Sequence, residues 1–115
     1  MIVSVSELQP KSFWKLRSFL SVSQKIAQES KLSKGNKHTA LNARGLLKFY
    51  TITAWETIDD LTAFRNSGLH KEAMMKTMHY SKSVKNLRWE SDIIPAWKEV
   101  YEKLETVPNM INKMK

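Results

Sequence analysis

The sequence predicts an α+β domain: four strands and two helical stretches in the order β-α-β-β-α-β, with a further helix at the C-terminal end. Four observations carry this. Residues 46–55, LLKFYTITAW, are dense in β-branched and aromatic side chains, the composition of a strand buried in a sheet. Directly after them Thr57 stands three residues before Asp60, the spacing of a helix N-cap. Ile58, Leu61 and Phe64 then recur at helical spacing until Asn66-Ser67-Gly68 interrupts them, and a second helical run follows from Leu69. Finally, Phe13, Leu16, Phe19, Leu20, Ile26 and Ala27 mark one face of a long amphipathic helix over residues 11–32.

Taken in order, residues 2–7 read as a short strand with Ile2, Ser4 and Ser6 on one side and Val3, Val5 and Glu7 on the other. Pro10 suits the entry to the helix over 11–32, and Lys34-Gly35-Asn36 stops that helix. Residues 37–43 form the second strand, Arg44-Gly45 the two-residue turn of a hairpin, and residues 46–55 the third strand. After the broken helical stretch at 57–80, residues 83–92 give a fourth strand with Leu87 and Trp89. Pro95 opens a last helix carrying Trp97, Val100, Tyr101 and Leu104 on one stripe. One domain is expected over residues 1–106, with a loosely held tail over 107–115. This is the ferredoxin-like order, with an antiparallel four-stranded sheet.

The two-residue turn implies a register in which His38 faces Thr51, Ala40 faces Phe49, and Asn42 faces Leu47. Period two then sorts the strands into two faces. Ala43, Leu41, Thr39, Leu46, Tyr50, Ile52 and Ala54 form a small apolar face suited to lie under helices. His38, Ala40, Asn42, Leu47, Phe49, Thr51, Thr53 and Trp55 form a mixed one. Because neither face is freely polar, both need cover. A bare patch of Leu47, Phe49 and Trp55 points to self-association, with two sheets closing face to face around a cavity lined by the mixed face.

Composition narrows the function classes. No run of about 18 apolar residues exists to span a bilayer. The start MIVSVSELQP lacks the basic flank and apolar core of a secretory signal, and the chain has no cysteine, so disulfides and thiolate metal sites are excluded and the cytoplasm is the expected location. The net charge of +8 is uneven: residues 1–48 hold nine Lys/Arg against two Glu, and the rest hold ten against nine. The basic half reads either as the solvated face of a helix, through Lys11, Lys15, Arg17 and Lys25, or as a nucleic-acid surface. No nucleic-acid motif accompanies the charge, which favours the solvated face.

The run Phe49-Tyr50-Thr51-Ile52-Thr53-Ala54-Trp55-Glu56, followed by Leu61, Phe64, Ser67-Gly68-Leu69-His70 and Ala73-Met74, resembles the dimeric α+β barrel superfamily. Within it the chain is most similar to the spheroidene monooxygenase-like branch, with the antibiotic biosynthesis monooxygenases as wider relatives. Pro95 and Trp97 fit the same pattern. The resemblance implies a homodimer, a pocket between sheet and helices, and a mainly apolar or aromatic small organic ligand. In some members such a ligand is oxygenated without a metal. Haem-degrading relatives carry an Asn on the first strand, a Trp on the helix after the central strand and a His further on. The corresponding places here hold Ser4 or a neighbour, Phe64 and about Met74, so haem degradation of that type is not supported; no cofactor is expected, and haem is possible but has no matched residues.

His70, at the start of a helix and beneath Trp55 in the motif, is the candidate base; equally, it could be a packed histidine satisfied by backbone or by Glu56. Glu56 is the second candidate base, or a carboxylate placed for the helix dipole. His38, Asn42, Phe49, Thr51, Thr53, Trp55 and Met74 are the expected ligand-binding set. Trp55 and Trp89 could stack on a planar substrate or serve the core, and Met74, Met75 and Met78 could line a flat apolar pocket or fill core gaps. Three scattered histidines, with His79 at the surface, form no metal motif, although His38 and His70 could meet in space. Two functions follow: a small-molecule oxygenase on a homodimeric barrel, or a ligand-binding or interaction module without catalysis on the same fold.

Overall fold

The computed structural model describes residues 1–11, 16–45 and 47–109. The expected Phe13 and Leu46 positions, and the end of the tail, lie outside them. The elements are β1 (Ile2–Pro10), α1 (Leu16–Leu32), β2 (Asn36–Ala43), β3 (Phe49–Trp55), α2 (Ile58–Arg65), α3 (Gly68–Tyr80), β4 (Ser81–Glu90) and α4 (Trp97–Glu105). The sheet is antiparallel with strand order β2-β3-β1-β4, the ferredoxin-like arrangement. Pro10 ends β1 instead of opening a helix: it is buried opposite Ser81, across a register shift. A strand-terminal proline is tolerated because the ladder needs no further donor there.

Local chemistry explains the helix ends. Thr57 Oγ1 accepts from the Asp60 amide at 3.1 Å and caps α2. Ser67 Oγ accepts from the His70 amide at 3.3 Å and caps α3. Gly35 turns the chain from α1 into β2 at φ +82°, a conformation side chains resist. Its carbonyl accepts from the Glu56 amide at 2.7 Å, and a Cβ there would overlap the Asp60 side chain.

The β2–β3 connection departs from the expected two-residue turn. It spans residues 44–48, closed by the Arg44 amide donating to the Lys48 carbonyl at 3.0 Å. Pairing then runs Asn42↔Tyr50, Leu41↔Thr51, Ala40↔Ile52, Thr39↔Thr53 and His38↔Ala54. Three extra loop residues shift the register by an odd number, which turns every β2 side chain to the opposite face. Thr39 and Leu41 therefore join Thr51 and Thr53, while His38, Ala40 and Asn42 join Tyr50, Ile52 and Ala54.

Helices cover both faces. On one face, Val3, Val5, Tyr50, Ile52 and Ala54 pack with Val100 and Leu104 of α4, and Trp89, Trp97 and Tyr101 lie around them. Each such fully buried apolar side chain contributes about 1.5–3 kcal/mol. On the other face lie α1, α2 and α3: Phe19 meets Phe49 with ring centroids 5.2 Å apart, and Phe64 stacks on Trp55 at 5.1 Å. The mixed face of β3 is thus the one under the main helices, and the apolar face lies under α4, the reverse of the sequence expectation. No bare patch of Phe49 and Trp55 is left to drive sheet-on-sheet closure. The free edge of β4 is occupied too, at Lys82 and Val84. Asn109 Oδ1 accepts from the Val84 amide at 3.0 Å, and its Nδ2 donates to the Lys82 carbonyl at 3.1 Å.

Candidate functional site: a hydroxyl-floored cavity under three helices

A central antiparallel sheet places residues of neighbouring strands in rows, and two rows on the α1–α3 face are unusually polar. One runs Thr39, Thr53, Ser4, Arg88; the next runs Leu41, Thr51, Ser6, Asn86. Threonine suits a strand because its branched Cβ packs on the pleat, so strand propensity alone tolerates these hydroxyls. A buried hydroxyl still needs a partner. Asn86 Nδ2 donates to Ser6 Oγ at 2.9 Å, to the Val5 carbonyl at 3.1 Å and to Ser4 Oγ at 3.3 Å. Thr39 Oγ1 lies 2.9 Å from Ser30 Oγ on α1 and accepts from Asn36 Nδ2 at 2.9 Å. Thr51 and Thr53, half-buried in the middle of the floor, have no hydrogen-bond partner for their hydroxyls among the described residues.

Above this floor the helices stand off the sheet and leave a cavity of about 120 Å³. Ile26, Ala27, Leu61, Phe64, Ala73 and Met74 supply its apolar roof and walls. Arg65 and His70 also line it, and among the described residues no carboxylate does. A site of this mixed character, mostly apolar with a few converging polar groups, is the usual build of a small-molecule pocket. Its volume is close to that of cavities that hold a single benzene-sized ring.

His70 is half-buried, its ring 4.9 Å from that of Phe64, so that Trp55, Phe64 and His70 form a continuous aromatic run. Burial pushes its pKa below the ordinary histidine value; a hydrogen bond to the Arg65 backbone opposes this, and the nearby Arg65 charge adds to it. The imidazole is therefore neutral at pH 7, with one nitrogen engaged by backbone and the other able to accept a proton. A stability effect follows. Between the folded pKa and the unfolded value of about 6.5, the unfolded chain binds a proton that the folded chain does not. Stability is expected to fall as pH drops through that window and to be fully recovered above it. Urea unfolding at stepped pH measures this, and His70→Gln should flatten the profile.

The structure thus brings together four residues expected from sequence: Thr51, Thr53, His70 and Met74 all line the cavity. It places the other five elsewhere. His38 and Asn42 are on the α4 face through the register change, where Asn42 Nδ2 donates to the Tyr101 hydroxyl at 2.7 Å. Glu56 is exposed, pairs with Lys37 at 4.0 Å and does not line the cavity. Phe49 packs on α1, and Trp55 is fully buried against Phe64; neither reaches the cavity. Trp89 is on the α4 face under Lys103, whose Nζ is 4.8 Å from its ring centroid. His38 and His70 lie on opposite sides of the sheet, and no group of three His, Cys, Asp or Glu placed to hold a metal occurs among the described residues. Sequence reading missed Ser4, Ser6, Ser30, Thr39, Arg65 and Asn86. The signal for Ser4 and Ser6 was present as small polar residues alternating with Val3 and Val5, but it needs the strand order to be placed beside Thr51 and Thr53.

No protein-family model and no curated protein sequence matches the chain. Solved structures do. A candidate antibiotic biosynthesis monooxygenase from Nitrosomonas europaea superposes with TM-score 0.73 at 14% identity, over 81% of this chain and 100% of that one. A second, from Deinococcus radiodurans, gives TM-score 0.75 at 14% identity, over 84% and 97%. SnoaB, a cofactor-independent oxygenase from Streptomyces nogalater, solved as its N63A mutant, gives 0.70 at 12% identity, over 81% and 94%. The chain has the α+β, ferredoxin-like fold of these monooxygenase-like structures; likeness at this identity shows fold alone. Among the described residues no helix is long and apolar enough to cross a membrane.

Proposed function

We propose that the protein binds a small, mainly apolar or aromatic organic molecule in the cavity between the sheet and α1–α3 and oxygenates it with O₂, His70 serving as proton acceptor. What carries this is the pair of hydroxyls, Thr51 and Thr53, that lack a hydrogen-bond partner among the described residues and are set in a largely apolar cavity that His70 also lines. The hydroxyls orient a carbonyl or hydroxyl of the ligand, and the enclosure keeps water from a reactive intermediate. A substrate C–H made acidic by a conjugated ring loses its proton to the free nitrogen of His70. The resulting carbanion passes electrons to O₂. For a methylene centre the balance is CH₂ + O₂ → C=O + H₂O: one oxygen atom stays on carbon and the other leaves as water with the proton His70 took. The finer family assignment, the spheroidene monooxygenase-like branch, belongs to the same proposal, as do a cytoplasmic setting and a homodimer. Equilibrium sedimentation decides whether the homodimer forms.

A binder without catalysis is the second reading, favoured by the way Phe64 and the Arg65 backbone already account for His70 as a packing residue. A panel of single-ring phenols and ketones, followed by calorimetry and by a dissolved-oxygen electrode, separates the two. Binding with oxygen uptake supports the oxygenase, and binding without it supports the second reading. Thr51→Val with Thr53→Val is expected to weaken binding by about five- to tenfold, one or two neutral hydrogen bonds. Unchanged affinity in that variant would mean the ligand sits elsewhere.

A further inference from the structure

Outside the cavity, on the far side of His70, runs an open groove of about 610 Å³. Arg65, His70 and Met74 line both spaces and so form the wall between them. The groove adds two further cations, Lys71 from α3 and Arg88 from β4, together with Met75, which is 75% exposed. Among the described residues no carboxylate lines the groove. The ion pairs among the described residues, Lys37 with Glu56 and Lys76 with Glu72, involve none of its three cations. The groove also passes the start of α3, a 13-residue helix with no acidic residue in its first turn, where the helix dipole presents positive charge. Three cations with no ion pair among the described residues would repel one another across this mouth, and an anion would relieve them. Exposed methionine beside them offers an adaptable apolar contact.

We infer that this groove holds the acid group of an amphipathic anion, a small organic carboxylate or similar acid, whose apolar end passes the His70–Met74 wall into the inner cavity. This rests on the cavity being the ligand site, as proposed above. Arg65, Lys71 and Arg88 then select for charge, while the hydroxyl-floored cavity selects for the size of the apolar part. The net charge of +8 draws such ligands toward the chain at low salt.

Calorimetry with phenylacetate and hexanoate against phenylacetamide and hexanamide tests it, because each amide keeps the shape and loses the charge. The acids are expected to bind about tenfold or more tighter than the amides, in line with charge-assisted hydrogen bonds. Added salt should erode the difference. Lys71→Gln with Arg88→Gln, both exposed positions, should remove most of the preference of acid over amide. Acids and amides binding equally, or a preference that survives the double substitution, overturns the groove assignment and leaves the cavity standing. Binding of neither acids nor amides overturns both.

Discussion

Trp55→Ala is expected to lower the folding free energy by about 3–5 kcal/mol, the range for removing a large buried aromatic from a packed core. Trp55 is fully buried at the end of β3, where the chain leaves the sheet for α2. Its ring stacks on Phe64 at 5.1 Å, so one side chain holds α2 onto the strand that precedes it. Phe64 in turn meets His70 at 4.9 Å, so the loss is expected to loosen the cavity end as well as the core. Trp55→Phe separates the contributions. The indole Nε1 is buried with no hydrogen-bond partner among the described residues, and phenylalanine removes that unpaired donor while keeping a ring against Phe64. It should cost clearly less than the alanine change. Urea denaturation of the two variants measures this. A loss below about 1 kcal/mol for Trp55→Ala, typical of a surface substitution, would mean that the Trp55–Phe64 stack does not anchor α2.

His70→Gln is expected to cut oxygenation by about 10²–10⁴-fold if His70 is the proton acceptor, the usual contribution of a positioned general base. Glutamine keeps a polar group at the cavity end and can still donate to the Arg65 backbone, so ligand affinity should stay within about a factor of three of wild type. The wild-type rate should rise with pH as the imidazole loses its proton and level off above its lowered pKa, and the variant should lose that limb. A variant that keeps its rate and its pH profile would assign proton transfer elsewhere and return His70 to a packing role. Measured together, rate, affinity and the acid-side stability of the same variant distinguish a catalytic histidine from a structural one, because only the first moves the rate.

Much of the fold was legible because it is written in local chemistry. The density of β-branched and aromatic residues in β3, the Thr57 cap, the Asn66-Ser67-Gly68 break and the stripe of α4 each depend on neighbours a few residues away. Four cavity residues, Thr51, Thr53, His70 and Met74, were within reach for the same reason: parity along one strand and phase along one helix place them. His38 and Asn42 were misplaced by one error with a large lever, the length of the β2–β3 loop. Arg44-Gly45 looks like a complete turn, yet the chain uses residues 44–48.

The sequence by itself determined the element order, the ferredoxin-like class and the identity of β3 as a buried strand, because these follow from short-range periodicity and capping. Only the tertiary structure decided which face of the sheet each helix covers, and with it where the cavity lies. The reason is that β3 has one face of Tyr50, Ile52 and Ala54 and another of Phe49, Thr51, Thr53 and Trp55, and both can be buried. Choosing between them takes the register with β2 and the side on which α4 packs, and both depend on contacts between residues far apart in the chain. The joining of Ser4, Ser6, Thr51, Thr53 and Asn86 into one floor belongs to that second class, since the strand order β2-β3-β1-β4 alone makes them neighbours.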